Sequence, residues 1–224
     1  MEPLSVLTKR IGYVFNNEAY LQTALTHRSA QSDNNERMEF LGDSILSYII
    51  SIELYLRFPE AKEGELSRLR ASLVKGETLA KIAVELQLGD FLYMGSGELK
   101  SGGYRRSSTL ADALEALIGA IYIDGGLDGA SRFVKHVFAS RLDKCHPSKA
   151  RKDPKTRLQE LLQAQSRPLP EYAVIATHGQ AHNQSFKVEC RVEGLSAPVY
   201  GEGSSRRKAE QMAAEAALEI LEHD

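Results

Sequence analysis

The chain has 224 residues, 42% hydrophobic and 26% charged, the balance of an ordinary soluble globular protein with room for one large domain or two small ones. A net charge of −2 argues against a uniformly basic nucleic-acid binder and leaves local basic patches open. Met1-Glu2-Pro3-Leu4 lacks the basic region and apolar run of a signal peptide, and no apolar run approaches the ~20 residues of a membrane span, so a cytoplasmic protein with no membrane partner is expected.

Leu4–Gly12 and Glu18–Leu25 read as two short helices around Tyr13–Asn17, and His27, just beyond, as a packing or capping residue. A long helix then starts near Asn34 and runs to about Phe58, where Pro59 stops it. At ~100° per residue, Glu36, Glu39 and Asp43 fall within an arc of roughly 60°. Met38, Leu41, Ile45, Ile49 and Ile52 fall on the opposite side, yet Leu46 and Ile50 continue the acid face. Carboxylates in line with apolar residues suggest a site at the end of a buried helix. First-turn acids also suit the helix dipole, and Asp33 with Glu36 fits a capping box. That plainer account covers Glu36 and Glu39 but not Asp43, two turns in, where aspartate is a poor helix former.

Ala61–Ser67 reads as a turn into a helix over Leu66–Val74, followed by a helix over Lys75–Leu86 that Gly89-Asp90 ends. Gly95–Arg106 is a glycine-rich, partly basic loop, either a surface linker or a substrate-contacting segment. It lacks the GxxxxGK[ST] pattern, so no nucleotide cofactor is expected. Ser107–Tyr122 is the second informative helix. Asp112 and Glu115 share a face of an otherwise apolar segment, which should be buried, and buried acids need cations, a metal or protonation. A last helix spans about Leu127–Leu142.

The polar, basic, proline-containing stretch Asp143–Asp153 breaks the pattern. The expected organisation is an all-α domain over 1–145, a linker over 146–153 and a small α+β domain over 154–224. In the latter, helix Pro154–Gln165 precedes strands Tyr172–Thr177, Gln184–Val192 and Ala197–Glu202, and helix Ser205–Leu221 closes an α-β-β-β-α unit. The last helix is expected to bury Ala209, Met212, Ala213, Ala216, Ala217 and Ile220. Cys145 and Cys190 are too few for a disulfide framework and lie in no CxxC or Cys/His cluster, so both are expected as free thiols.

If Glu39, Asp43, Asp112 and Glu115 converge, two like charges ~5 Å apart repel by roughly 3 kcal/mol at an effective dielectric of about 20. Such a set calls for a cation. All-oxygen donors favour Mg²⁺ or Mn²⁺, which lowers the pKa of a bound water and bridges carboxylate and phosphate. In the smaller domain, Arg206, Arg207 and Lys208 oppose the dipole of the last helix, so helix stability does not explain them, whereas phosphate binding does. Gln159 and Gln163 share a face of the first helix, and the Gly179–Asn183 loop carries His182. Three polar surfaces on one small domain suit A-form RNA.

Asn35-Glu36-Arg37-Met38-Glu39-Phe40-Leu41-Gly42-Asp43-Ser44-Ile45-Leu46 closely resembles the ribonuclease III family motif, with Met38 where leucine is usual. Glu63–Ser67, Gly97–Gly103 and Asp112–Gly119 resemble further segments of that family in the same order, and residues 154–224 resemble a double-stranded-RNA-binding domain. The resemblance implies a Mg²⁺-dependent homodimeric endonuclease that cuts double-stranded RNA and leaves 5′-phosphate and 3′-hydroxyl ends with short 3′ overhangs. Ribosomal RNA precursors and other structured transcripts would be its substrates. By motif position it implies Glu39, Asp43, Asp112 and Glu115 as metal ligands, with Asp43 and Glu115 as the catalytic pair. Glu36 and Glu63 would be accessory acids near the dimer interface or substrate. Gln159, Glu160, Gln163 and His182 would face RNA minor grooves, and Arg206, Arg207 and Lys208 the phosphates between them. Two other readings of the residues stand beside this one: an RNA-binding protein with an idle helical domain, and a dimerisation scaffold whose acids cap helices.

Overall fold

A computed structural model describes residues 3–147, 153–179 and 184–223. The chain divides into two compact units, Met1–Ala150 and Arg151–Asp224, each with its own apolar core.

The first unit is all helical: α1 (Leu4–Ile11), α2 (Glu18–Ala24), α3 (Glu36–Arg57), α4 (Glu63–Val74), α5 (Gly76–Glu85), α6 (Ser96–Lys100) and α7 (Ser107–Lys144), with 3₁₀ turns at Leu88–Phe91 and Gly103–Arg105. The centre is the pair α3 and α7, flanked by α5 and α2 on α7 and by α4 on α3. Leu114, Leu117, Ile118 and Ile121 of α7 are fully buried, as a helix apolar all round requires. On α3 the buried side takes in Leu46 and Ile50, which continue the acid face, together with Ile49, whereas Ile52 is 39% exposed.

Two glycines set how closely α3 and α7 approach. A Cβ on Gly42 would lie 1.7 Å from the carbonyl oxygen of Glu115, and one on Gly119 would lie 2.3 Å from the carbonyl oxygen of Met38. The two backbones therefore touch at the level where both helices carry their acids. At Gly126 the backbone of α7 leaves helical geometry, with φ 66° and ψ −169°, a region open essentially to glycine alone. The break separates the two helices expected over Ser107–Tyr122 and Leu127–Leu142. Beside it, the Asp124 carboxylate accepts hydrogen bonds from the Tyr13 hydroxyl (2.8 Å) and from the Asn16 and Asn17 backbone N–H groups (2.8 and 2.9 Å), which ties the α1–α2 loop to α7.

Two local expectations change. Helix α4 starts at Glu63 rather than Leu66, because the Lys62 N–H donates to Glu65 Oε2 at 2.8 Å and closes the first turn earlier. The glycine-rich segment is not wholly loop: it holds α6 and a 3₁₀ turn, fixed by Arg106 donating to Glu98 and to Ser101 Oγ. It is also held from outside, where the Gly95 N–H donates to Ser29 Oγ at 3.0 Å, just after a short parallel bridge between Thr26 and Tyr93.

The second unit comprises α8 (Pro154–Ala164), β1 (Glu171–His178), β2 (Ser185–Arg191), β3 (Val199–Gly203) and α9 (Arg206–His223). The sheet is antiparallel in the order β1-β2-β3, with Tyr172 opposite Cys190 and Val188 opposite Gly201. Leu158, Leu162, Val188 and Cys190 meet Ala209, Ala213, Ala214, Ala217 and Leu218 in its core. The buried face of α9 is therefore rotated from the expected one: Met212 is 56% and Ile220 43% exposed. The cause is the close seating of β3, where a Cβ on Gly201 would lie 2.2 Å from the Ala213 nitrogen, so α9 turns its small residues to the sheet. Cys145 and Cys190 are both free thiols. Of the linker expected over 146–153, residues 148–152 lie outside the described residues.

Candidate metal centre and RNA-binding surface

Because α3 and α7 meet at Gly42 and Gly119, the acids one turn away face each other. Glu39, Asp112 and Glu115 each offer a carboxylate oxygen, and the three lie within 4.8 Å of one another. All three side chains are half-buried. Asp43 is exposed and its oxygens fall outside that group, but its charge acts on both Glu39 and Glu115. The four acids expected to converge are thus a tight triad with a fourth near enough to act on it by charge.

The electrostatics show the strain of the arrangement. Burial, then the charges of Asp43, Glu39 and Asp112, push the Glu115 carboxyl from the ordinary 4.5 up to about 8. Glu39 is raised by burial first and then by Asp112 and Glu36. Asp112 is raised by burial against the opposing effect of His27 and Arg28. Three half-buried carboxylates make an all-oxygen donor set. The coordination chemistry of that set fits a hard divalent cation rather than zinc or copper.

Glu36 is exposed, paired with Arg28 at 3.3 Å, and lines the same cavity as Glu39 and Asp112. Glu63 stands elsewhere. It accepts a hydrogen bond from Ser67 Oγ at 2.6 Å and lines an apolar groove with Tyr48, Ile52, Tyr55, Leu56 and Leu66. Within one chain it does not join the acids.

Several cavity residues were not anticipated as site residues. A space of about 500 Å³ opens beside the triad, walled by His27, Arg28, Asn35 and Glu36 on one side and by Glu98, Arg106, Ser108 and Thr109 on the other. The available signal was the pairing of cations with hydroxyls at His27-Arg28-Ser29 and Arg105-Arg106-Ser107-Ser108, each just before an acid-bearing helix.

In the second unit, Gln159, Glu160 and Gln163 are exposed on α8, and Arg206, Arg207 and Lys208 are exposed at the start of α9. Gln159, Arg206 and Arg207 line one shallow depression of about 560 Å³. Arg206 also has a structural partner, Glu210 Oε1 at 2.9 Å, and Lys208 Nζ donates to Ser204 Oγ at 3.2 Å. His182 lies outside the described residues.

Fold and site define a class: a helical module built around a carboxylate triad suited to a hard cation, in one chain with an α-β-β-β-α module whose last helix starts on exposed basic residues. Comparison with known proteins narrows it. Residues 17–142 match the family model described as Ribonuclease-III-like, and residues 154–221 match the Double-stranded RNA binding motif. The chain is 57% identical to the Ribonuclease 3 of Idiomarina loihiensis over 220 residues, 98% of this chain and 96% of that protein. It is also 57% identical to the Ribonuclease 3 of Vibrio vulnificus over 219 residues, covering 98% and 97%. Among solved structures it resembles the nuclease domain of ribonuclease III from Campylobacter jejuni, with TM-score 0.62 and 39% identity over 65% of this chain and all of that one. A second structure of that domain gives TM-score 0.61 and 41% identity over 62% of this chain and 97% of that one. The chain belongs to the ribonuclease III family, the endoribonucleases of double-stranded RNA.

Proposed function

We propose that this chain hydrolyses phosphodiester bonds of double-stranded RNA at the Glu39–Asp112–Glu115 triad, with Mg²⁺ as the cation and Mn²⁺ able to replace it. The products are 5′-phosphate and 3′-hydroxyl ends with short 3′ overhangs, made in the cytoplasm from ribosomal precursors and other structured transcripts. The observation that carries the proposal is the triad itself, three carboxylate oxygens within 4.8 Å on two helices held in backbone contact. A divalent ion bound there supplies a polarised water and the positive charge that lets a phosphodiester approach an acidic cleft.

The protein residues do the rest. Glu39, Asp112 and Glu115 present their oxygens from rigid helices, so little reorganisation is left for the reaction. In this reading Asp43, exposed and acting by its charge on Glu39 and Glu115, orients the attacking water and takes its proton as the bond from phosphorus to the ribose 3′-oxygen breaks. Glu36 holds Arg28 at the cavity wall. Incubation with a long RNA duplex, with and without Mg²⁺, followed by end-group analysis tests the proposal. It expects cation-dependent duplex cleavage with the stated ends, and cleavage insensitive to chelator contradicts it.

The raised Glu115 carboxyl gives a pH dependence. Without a cation, the folded protein holds this proton up to about pH 8, whereas the unfolded chain releases it near 4.5. The folded state therefore binds more protons between those values, and the group's contribution to stability falls as pH rises through that window. The cation needs the ionised form, so its affinity rises with pH over the same window and levels off above about 8. Calorimetry in buffers of different ionisation heat should show about one proton released per Mg²⁺ bound at pH 7, and release that fades above pH 8.

For the second module, Gln159 and Gln163 on α8 and the basic start of α9 are the proposed groove and phosphate contacts. Replacing Arg206 and Arg207 together by alanine should weaken duplex binding at all sequences. It should also reduce the slope of log affinity against log salt by about 2, one for each phosphate contact removed. A fluorescence-anisotropy titration at several salt concentrations reads both.

The chain is further proposed to act as a homodimer. Tyr48 (51% exposed), Tyr55 and Leu56 (both 69%) form an exposed apolar run along α3 that lines the groove holding Glu63. One of the Campylobacter structures is described as showing flexibility in a region involved in dimer formation. Leu56→Glu should sediment as a monomer where the parent chain sediments as a dimer.

A further inference from the structure

The start of α9 carries an acid among its cations. Arg206 opens the helix and Glu210 lies one turn on. Both line the depression that takes in Lys155, Gln159 and Arg207. An acid in a seat for phosphate repels the ligand, so attraction of RNA does not account for it. Helix stability does not account for it either. Glu210 stands past the first turn, where the dipole no longer favours an acid, and a base followed four residues on by an acid is the less favourable order of such a pair.

Both oxygens of the Glu210 carboxylate are in use. Oε1 accepts from Arg206 Nε at 2.9 Å and Oε2 accepts from Lys155 Nζ at 2.7 Å. The Glu210 side chain is 13% exposed, whereas that of Arg206 is 66% exposed. Against burial, which raises it, the hydrogen bonds from Lys155 and Arg206 hold the Glu210 carboxyl below the usual carboxylate range, so the group is anionic at neutral pH. Lys155 is itself fixed. Its Nζ stands 4.3 Å from the centre of the Tyr172 ring on β1, and its backbone N–H donates to Gln211 Oε1 at 3.1 Å. The Gln211 carboxamide donates in turn to Asp153 Oδ1 at 2.8 Å, and Asp153 caps α8 by accepting from the Thr156 N–H at 3.1 Å. One oxygen of Glu210 is thus anchored to α8 and β1, and the other steers Arg206. Contact through Nε leaves the Nη donors of the guanidinium for another acceptor.

A surface arginine that is not held gives up rotamer freedom when it meets a phosphate, and one already held has little left to lose. We infer that Glu210 is a positioning residue for RNA: anchored by Lys155, it pre-orders the Arg206 guanidinium for a backbone phosphate, and so an acid strengthens the binding of a polyanion. This rests on the reading, proposed above, that Arg206 contacts phosphate.

The test is a fluorescence-anisotropy titration of a labelled RNA duplex with the full chain, at several salt concentrations and without divalent cation, so that nothing is cut. Net charge alone predicts that Glu210→Ala and Glu210→Gln bind more tightly than the parent chain. Positioning predicts the opposite sign. Glu210→Ala should weaken binding about tenfold, the worth of roughly one charge-assisted hydrogen bond, and lower the slope of log affinity against log salt by about 1. Glu210→Gln keeps one acceptor for Arg206 Nε and should recover part of the loss. In an Arg206→Ala background the Glu210 substitutions should cost nothing further, whereas in an Arg207→Ala background their cost should persist in full. Tighter or unchanged binding by both Glu210 variants overturns the inference. So does a loss that persists in the Arg206→Ala background, or one that keeps the parent's salt slope, because either assigns Glu210 only to tying α8 to α9. Circular dichroism at the titration temperature checks the fold. Alanine is the best helix former, and if Glu210→Ala still loses structure, Glu210→Gln, of nearly the same volume, carries the same test. If Arg206→Ala alone binds like the parent chain, the phosphate contact fails and the inference with it; if Arg206→Ala weakens binding and the Glu210 variants do not, only the positioning role fails.

Discussion

Gly42→Ala should abolish useful activity although it adds one methyl group and removes no functional atom. That methyl would sit 1.7 Å from the Glu115 carbonyl oxygen and 3.1 Å from the Gly119 nitrogen, both backbone atoms of α7. No side-chain rotation relieves the clash, so α3 and α7 must separate. Overpacking of this kind costs roughly 1–3 kcal/mol where side chains can shift, and more where only backbone can. A loss of about 3 kcal/mol or more is expected in urea unfolding. The functional loss is larger. The same helices carry Glu39 and Asp43 on one side and Asp112 and Glu115 on the other, so separation opens the triad. A misplacement of about 1 Å in such a site costs on the order of 100-fold in rate. Single-turnover cleavage by the folded fraction should fall by at least that factor. Gly119→Ala, with its methyl 2.3 Å from the Met38 carbonyl oxygen, should behave in the same way.

Glu115→Gln should separate chemistry from stability. Glu115 is the member of the triad most affected by its neighbours, raised to about 8 by burial and by three like charges. Glutamine keeps the shape and loses the charge. Cleavage should fall by about 1,000-fold or more, the scale seen when an electrostatic element of a site is removed. Duplex binding through residues 154–221 should persist. Without cation at pH 8 the variant should melt at or above the parent temperature, because the repulsion with Asp43, Glu39 and Asp112 is gone. With saturating Mg²⁺ the order should reverse, since only the parent gains stability from the bound ion. A variant that cuts at the parent rate would remove Glu115 from the site.

Much of this was legible in the sequence, for physical reasons that also mark the limit. Helices α3 and α7 announce themselves by period, and Asp112 and Glu115 stand out because acids are rare in a segment apolar all round. The α-β-β-β-α order follows from a change of period after Asp153. What stayed hidden depends on how separate elements meet. Gly42 and Gly119 read locally as weak helix formers, and their value exists only across the helix pair. Asn35 and Thr109 look like ordinary helix-start residues until the segments carrying His27 and Arg106 close the cavity around them. The glycine content of residues 95–106 masked α6, whose order comes from the Arg106 contacts with Glu98 and Ser101. On α9 hydropathy favoured Met212 and Ile220, but close seating against Gly201 selected alanines instead.

The dimer proposal and the pH dependence both follow from the surface and charge that the folded chain carries, and the cleavage assignment follows from where its acids meet. The most direct measurement is anomalous scattering from crystals soaked in Mn²⁺ at pH 8. One strong peak about 2.0–2.2 Å from oxygens of Glu39, Asp112 and Glu115 is the predicted result. Ordered carboxylates at these positions with no peak between them, or a peak bound by other residues, would contradict it.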